Sequence, residues 1–289
     1  MASIALDALG GLHLNVERTG DGPPILTIHG FTGNMSTWDY FSRVARSEYS
    51  VISLDMLGHG ISDTPENPEL YSLEITVRVL AELLDILSIQ RVHWLGYSMG
   101  GRIALAAAIL LSERTLSVTL ESASPGLHTL DERAARIYSD EMLADKLETE
   151  GMVAFVDYWE SLPLWASQTR LPEDVRQKLR LQRLMGSPTG FANSLRGIGT
   201  GAQPSFHGLL PGLQVPTLFI AGEEDEKSVS IAQEMHCTVA RSQLRIVQES
   251  GHVVHLEKPA LFNQIVLEFL RKVGDSATHE VETRSWPNP

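Results

Sequence analysis

The sequence predicts an α/β protein in which helices cover both faces of a doubly wound, mostly parallel sheet. Short apolar runs alternate with runs of helical spacing along most of the 289 residues, which is the pattern of repeated strand–helix units. Pro24–Ile28 and Ser50–Leu54 are nearly all apolar, as expected of parallel strands that are buried on both faces. The length accommodates one such domain with an insertion.

The remaining elements of this domain follow from local patterns. Apolar residues recur at helical spacing from Leu73 to Leu87, which predicts an amphipathic helix. The other predicted helices are Trp38–Ala45, the Ala/Leu-rich run Gly101–Leu111 and the closing helix Pro259–Lys272. Further runs of strand character are His13–Val16, Arg91–Leu95, Ser117–Leu120, Thr217–Ala221 and Leu244–Val247.

One stretch breaks the alternation of strands and helices. Residues 127–213 contain no clear strand pattern, and their helical segments are separated by prolines. An insertion of this size after the sixth strand is expected to lie over the strand ends as a helical cap. We therefore predict a core of residues 1–126 and 214–273, a cap of residues 127–213, and a polar, mobile tail of residues 274–289.

Composition limits the classes of partner. The chain is 43% hydrophobic and 20% charged, with a net charge of -13, which argues against nucleic acid or an anionic membrane as a partner. Cys237 is the only cysteine, so no intramolecular disulfide forms. The start lacks the features of a signal peptide, and no apolar run approaches the ~20 residues of a membrane span. We expect a cytoplasmic protein, and the sequence is compatible with a monomer or a homo-oligomer.

The pentapeptide Gly96-Tyr97-Ser98-Met99-Gly100 lies between a predicted strand and a predicted helix. A strand, a G-x-S-x-G turn and a helix together form the nucleophile elbow of the α/β-hydrolase fold. The glycines allow the backbone to bend sharply, and the bend exposes a serine hydroxyl. We therefore predict an α/β-hydrolase fold with Ser98 as its catalytic serine.

A serine hydroxyl needs a histidine as base, and that histidine needs an orienting carboxylate. In this fold the chain order is serine, acid, histidine, and both partners follow strand ends. Asp225 is the predicted acid because its loop has the pattern G-x-x-D, whereas Glu224 and Glu226 are alternatives that more often remain solvated.

His252 is the predicted catalytic histidine because it follows Gly251 at a strand end. We expect His255 to support that loop, and His29 and His59 to brace loops of their own. The predicted oxyanion hole consists of the backbone N–H groups of Met99 and Phe31, the latter in the loop after the Ile28 strand.

The chain also resembles a narrower family, the MenH-type 2-succinyl-6-hydroxy-2,4-cyclohexadiene-1-carboxylate synthases of menaquinone biosynthesis. The likeness extends over roughly residues 24–272, and its cap motifs are more specific than the elbow. The matching stretches are His29–Gly33, Gly96–Arg102, Glu121–Leu127, Phe155–Glu160, Ala166–Gln168, Ala192–Gly197 and Gly199–Ser205.

This resemblance implies a lyase that needs no cofactor and no metal ion. Enzymes of this family expel pyruvate from 2-succinyl-5-enolpyruvyl-6-hydroxy-3-cyclohexene-1-carboxylate by removing a ring proton next to the succinyl ketone. Ser98, activated by His252 and Asp225, would then act as a general base and form no acyl-enzyme.

An acidic protein needs local arginines to bind a small polycarboxylate substrate, because guanidinium binds carboxylate bidentately. Arg102 follows Ser98 by four residues, so we expect both on one face of the elbow helix. The family pattern implies that Arg102, Arg136 and Arg183 bind carboxylates, and that Tyr97 and Trp159 line the pocket.

Two alternatives remain at this stage. A carboxylesterase or carbon–carbon bond hydrolase would use Ser98 as a nucleophile and would favour an apolar pocket without converging arginines. A non-catalytic ligand receptor on the same fold would not need a complete triad.

Overall fold

The computed structural model describes the backbone of residues 1–284 and the side chains of residues 1–275. Its centre is an eight-stranded sheet with the order β1-β2-β4-β3-β5-β6-β7-β8. β2 pairs antiparallel with β1 and with β4, and the other pairs are parallel. The strands are β1 Ala2–Leu6, β2 Leu12–Thr19, β3 Pro24–Ile28, β4 Ser50–Leu54, β5 Val92–Tyr97, β6 Thr115–Glu121, β7 Thr217–Gly222 and β8 Ser242–Val247.

Helices cover both faces of this sheet, which confirms the predicted fold class. They are α1 Asp39–Ala45, α2 Leu73–Ile86, α3 Met99–Leu110, α4 Leu130–Ser161, α5 Glu173–Leu184, α6 Pro188–Ile198, α7 Glu226–Thr238, α8 Val254–Glu257 and α9 Pro259–Arg284. One apolar layer joins α2, α3 and α7 to the sheet. The other joins α1 and α9 to its opposite face.

α4, α5 and α6 form a separate helical layer between β6 and β7, inside residues 127–213. α4 begins with a capping box in which Thr129 and Glu132 satisfy each other's backbone N–H groups. Gly151, at φ +80°, interrupts this helix. α4 and α6 share a small apolar cluster that includes Phe155 and Phe191, so the layer has a core of its own.

The two ends of the chain differ from the sequence-based expectation. β1 was not predicted, because only Leu6 of its five residues is buried and an exposed edge strand needs little apolar patterning. α9 continues past Lys272 to Arg284, through the first part of the tail predicted at residues 274–289. Residues 285–289 lie outside the described part of the chain. No described helix is long and apolar enough to cross a membrane.

Candidate active site

Ser98 lies at the turn between β5 and α3, at the carboxyl end of a central strand. Its backbone has φ +52° and ψ −112°, a conformation that L-residues rarely adopt. The turn is also crowded: a β-carbon on Gly96 would overlap the carbonyl oxygen of Gly100, and one on Gly100 would overlap that of Ile28. Glycine at both positions is therefore required for the sharp strand-to-helix bend, which has the form of a nucleophile elbow.

Ser98, His252 and Asp225 form a continuous hydrogen-bonded series. His252 Nε2 lies 3.0 Å from Ser98 Oγ, and His252 Nδ1 lies 2.5 Å from Asp225 Oδ2. Because a carboxylate only accepts, Nδ1 carries the proton and Nε2 can accept from the serine hydroxyl. Asp225 and His252 follow β7 and β8 respectively, so three strand ends supply the three side chains.

Asp225 is held as an anion by its surroundings. Burial raises its pKa, but hydrogen bonds from His252 and from the Ser228 backbone N–H outweigh burial, and the net pKa is lowered. Glu224 is instead bound to Arg170 at the surface, and Glu226 is exposed. Of these three carboxylates, Asp225 is the one in contact with His252.

The other histidines near the site are committed to local contacts. His255 Nδ1 lies 2.7 Å from the buried carboxylate of Glu121. His29 accepts from the Met56 backbone N–H through Nε2, so its Nδ1 donates to the Gly30 carbonyl at 2.8 Å.

His59 is a fourth histidine near the site, and it is fully enclosed. Its Nδ1 lies 3.1 Å from the Leu57 carbonyl oxygen. Burial lowers the pKa of His59 to about 3, so its ring is neutral at physiological pH and is unsuited to accepting a proton.

The two predicted oxyanion donors follow neighbouring, paired strands, β3 and β5. Met99 is the first residue of α3, where backbone N–H groups have no partner within the helix and the helix dipole favours negative charge. The N–H of Phe31 makes no hydrogen bond to any described residue. Both groups are therefore free to donate to a ligand oxygen.

Arg102 is buried, and its Nη1 donates to Gln203 Oε1 at 2.6 Å. Burial, aided by the nearby charge of Arg136, lowers the pKa of Arg102 to about 10. The guanidinium is still protonated at neutral pH, and a single neutral acceptor satisfies one of its five N–H donors. Arg102 is therefore a buried positive charge with donors to spare.

Arg136 and Arg183 already have carboxylate partners, which the sequence did not predict. Arg136 Nε donates to Asp140 Oδ1 at 2.8 Å, across one turn of α4. Arg183 Nη1 donates to Glu160 Oε1 at 2.9 Å. Arg183 also lies over the ring of Trp165, at 5.3 Å from the ring centre. Each arginine is thus oriented by its neighbours, and its charge is partly neutralised.

A set of buried donors beside the triad has no partner among the described residues. Unpaired buried donors cost roughly 1–3 kcal/mol each, so such a cluster indicates a place for acceptor groups of a ligand. The Trp165 ring centre is 5.6 Å from that of His252 and 5.5 Å from that of Trp159. The donors are Trp159 Nε1, Trp165 Nε1, Gln168 Nε2 and Arg183 Nε.

A cavity of about 610 Å³ lies against this donor set. Phe31, Tyr97, Trp165, Gln168 and Arg183 are among the residues that line it. Its volume is in the range of small-molecule sites, and Tyr97 lies next to both Ser98 in the chain and His252 in space, with ring centres 5.4 Å apart. Of the predicted site residues, Phe31, Tyr97 and Arg183 line this cavity, whereas Ser98, His252, Asp225, Arg102, Arg136 and Trp159 are not among its described lining residues. Tyr97 and Trp165 connect the cavity to His252.

Comparison with known proteins extends this description. The family model of the α/β hydrolase fold matches residues 23–259. A Bacillus subtilis (strain 168) protein, provisionally named 2-succinyl-6-hydroxy-2,4-cyclohexadiene-1-carboxylate synthase, is 45% identical over 275 residues, which cover 94% of this chain and 100% of that protein. The chain belongs to this synthase family of α/β hydrolases. The predicted fold and the family resemblance are both confirmed.

Two further members of the synthase family agree with this assignment. An Escherichia coli 2-succinyl-6-hydroxy-2,4-cyclohexadiene-1-carboxylate synthase is 28% identical over 250 residues, covering 86% of this chain and 94% of that one. The structure of MenH from S. aureus matches with a TM-score of 0.86 and 32% identity, covering 91% of this chain and 99% of that chain. The likeness to the synthase family therefore extends over core and cap alike.

Three polar side chains that contact candidate site residues were not predicted: Trp165, Gln168 and Gln203. Gln168 and Gln203 lie within the cap stretches Ala166–Gln168 and Gly199–Ser205 that carried the resemblance. No sequence motif identifies a neutral amide or an indole as a ligand-binding group. Only the tertiary structure places Gln203 against Arg102 and Gln168 near Arg183 at 3.4 Å, beside two candidate substrate-binding arginines.

Proposed function

We propose that this chain is a carbon–oxygen lyase that eliminates pyruvate from 2-succinyl-5-enolpyruvyl-6-hydroxy-3-cyclohexene-1-carboxylate. The product is 2-succinyl-6-hydroxy-2,4-cyclohexadiene-1-carboxylate, the compound for which the relatives are named. The observation that carries the proposal is the Ser98–His252–Asp225 series together with the buried, unpartnered donors next to His252, which include the cationic Arg183. Such a donor set suits a substrate with several carboxylates.

In the proposed reaction Ser98 is the base that removes a carbon-bound proton. His252 Nε2 accepts the proton of Ser98 Oγ, and the oxygen takes the ring proton next to the succinyl ketone. The electron pair of that C–H bond forms a ring double bond. The existing ring double bond shifts by one position, and the bond between the ring carbon and the ether oxygen breaks, so the oxygen leaves with the enolpyruvyl group. Proton uptake by the released enolate then gives pyruvate.

Asp225 has a supporting part in this step. It accepts from His252 Nδ1, so it selects the tautomer in which Nε2 is free and stabilises the imidazolium as it forms. The lowered pKa of Asp225 keeps this carboxylate ionised throughout the neutral range. The imidazole is therefore ready to accept a proton.

The N–H groups of Phe31 and Met99 are the proposed oxyanion hole. Removal of a proton next to a ketone places negative charge on the carbonyl oxygen. Donors aimed at that oxygen stabilise the transition state more than the ground state, and one such donor is worth ~2.7–4 kcal/mol. Both N–H groups are free of partners among the described residues, which supports this role.

The arginines are the proposed ligands of the substrate carboxylates, with Tyr97 and Trp159 as walls of the pocket. Arg102 is the strongest candidate, because among the described residues its guanidinium has a single hydrogen-bond partner, the neutral Gln203. Arg183 contributes its unpaired Nε together with the charge that Glu160 leaves unneutralised. Arg136 must share its guanidinium between Asp140 and the substrate. We propose that the reaction needs no cofactor and takes place in the cytoplasm.

The decisive experiment supplies the enolpyruvyl substrate and follows two products. Pyruvate release is coupled to a dehydrogenase assay, and diene formation is followed by its absorbance. The proposal expects equal rates for the two, with no requirement for added metal or cofactor. Turnover of simple esters without pyruvate release would favour the carboxylesterase alternative, and no turnover of either would favour a receptor.

A further inference from the structure

Three side chains from separate parts of the chain meet at the surface of the protein. His128 lies between β6 and α4, where the chain enters the helical layer α4–α6. His207 lies between α6 and β7, where the chain returns to the sheet, and Glu234 lies on α7. The two connections run side by side, since the Phe206 N–H donates to the Pro125 carbonyl at 2.7 Å.

The ligating atoms of these side chains are already close together. His128 Nε2 lies 3.3 Å and His207 Nε2 lies 3.9 Å from Glu234 Oε1, and all three atoms lie within 4.8 Å of one another. Ligands at 2.0–2.1 Å from a tetrahedral metal ion lie roughly 3.3 Å apart. Rotations of side chains alone would therefore bring the three atoms to coordination distance.

The histidines are also presented in a suitable manner. The two ring centres lie 3.6 Å apart with their planes inclined by 32°, and both Nε2 atoms face Glu234 Oε1. His207 Nδ1 lies 2.8 Å from Ser205 Oγ. A hydroxyl that accepts from Nδ1–H orients the ring and leaves Nε2 as the ligand, as second partners of metal-bound histidines commonly do.

We propose that His128, His207 and Glu234 bind a divalent transition-metal ion of the Zn²⁺ class. Two imidazoles with one carboxylate suit zinc and its neighbours rather than Mg²⁺ or Ca²⁺, which prefer oxygen ligands. The fourth tetrahedral position is open to water, because His128 and Glu234 are about half exposed, at 54% and 52%. The bound ion would link both connections of the helical layer to α7. This role does not depend on the proposed elimination reaction.

The test is a titration of the untagged, chelator-treated protein with Co²⁺, followed by displacement with Zn²⁺. We expect one equivalent of Co²⁺ to give the visible absorption bands of a low-coordinate site, and Zn²⁺ to abolish them. His128→Ala, His207→Ala and Glu234→Gln should each weaken binding by about 10- to 100-fold or more, since even partners outside the coordination sphere are worth that much.

His13→Ala is the matched control, because His13 is a similarly exposed histidine beside a single carboxylate, Asp63. This variant should bind Co²⁺ like the unmodified protein. Zn²⁺ should also raise the melting temperature of the unmodified protein and of His13→Ala by several degrees, but not that of His207→Ala. Absence of Co²⁺ bands at one equivalent, or unchanged affinity in His207→Ala, would overturn the proposal.

Discussion

The indole of Trp165 meets the imidazole of His252 edge to face, with ring centres 5.6 Å apart. Trp165 follows α4 in the helical layer, and His252 follows β8 of the sheet. Arg183 lies over the ring of Trp165, 5.3 Å from its centre. One aromatic side chain thus connects the histidine of the proposed triad, in the sheet, to a buried cation in the helical layer.

Loss of the serine hydroxyl should remove most of the activity without unfolding the protein. In Ser98→Ala we expect turnover of the enolpyruvyl substrate to fall by about 10²–10⁴-fold, the range that general base catalysis contributes. The measurement is pyruvate release per mole of folded protein, with circular dichroism to verify the fold.

Ser122→Ala is the matched control for that loss. Ser122 also has positive φ, at +49°, and a buried hydroxyl that lacks a partner among the described residues. We expect this variant to retain near-normal turnover. A Ser98→Ala protein as active as Ser122→Ala would contradict the assignment of the base.

Removal of the Arg102 guanidinium should affect anionic and neutral substrates differently. A charge-assisted hydrogen bond is worth roughly 1.5–3 kcal/mol, so kcat/KM of Arg102→Ala for the enolpyruvyl substrate should fall by about 10- to 150-fold. Hydrolysis of a neutral nitrophenyl ester, if the protein has this side activity, should change far less. Arg271→Ala, which removes a surface pair with Glu48, serves as the control. Equal losses on both substrates in Arg102→Ala would refute carboxylate binding by Arg102.

His93 should make the fold less stable in acid. Burial, with a smaller contribution from Arg91, lowers the pKa of His93 to about 4. Between pH 6.5, the ordinary pKa of histidine, and about pH 4, this residue is protonated in the unfolded chain but neutral in the folded chain. The contribution of neutral His93 to the free energy of unfolding is therefore fully present above pH 6.5 and decreases as the pH falls. At pH 5 this residue lowers the free energy of unfolding by about 2 kcal/mol.

Urea unfolding at pH 7.5 and pH 5.0 measures that difference. In His93→Gln the decrease in the free energy of unfolding between these pH values should be smaller than in the unmodified protein by about that 2 kcal/mol. His13→Gln, at an exposed histidine, should leave the decrease unchanged. An identical pH dependence in all three proteins would show that His93 does not resist protonation.

Gly100 should tolerate no side chain, because a β-carbon there would overlap the Ile28 carbonyl oxygen. Overpacking of this kind costs typically 1–3 kcal/mol, and Gly100→Ala must also displace the turn that holds Ser98. We expect a lower free energy of unfolding together with loss of turnover. In the control Gly212→Ala a β-carbon meets no atom within 4 Å, so the free energy of unfolding and the turnover should both be unchanged. A fully active Gly100→Ala protein would show that the elbow is less constrained than its contacts indicate.

Local sequence patterns were sufficient to predict the central strands of the sheet. Residues such as Ile25 and Ile52 are fully buried. A strand that is covered on both faces needs a continuous apolar run, and such a run can be recognised in the sequence. The bounds of β3 and β4 therefore agree with the prediction residue for residue. The order of Ser98, Asp225 and His252 along the chain, each after a strand end, likewise predicted their proximity, because parallel strands bring such ends to one edge.

The partner of Arg183 was decided by tertiary structure alone. The charge of Arg183 is visible in the sequence, but its carboxylate partner, Glu160, is supplied by the packing of α5 against α4. The pair of Arg136 with Asp140 is different, because it spans one turn of a single helix and is therefore local. Tertiary structure likewise brings together His128 and His207, which are 79 positions apart in the chain but both lie beside Glu234 of α7.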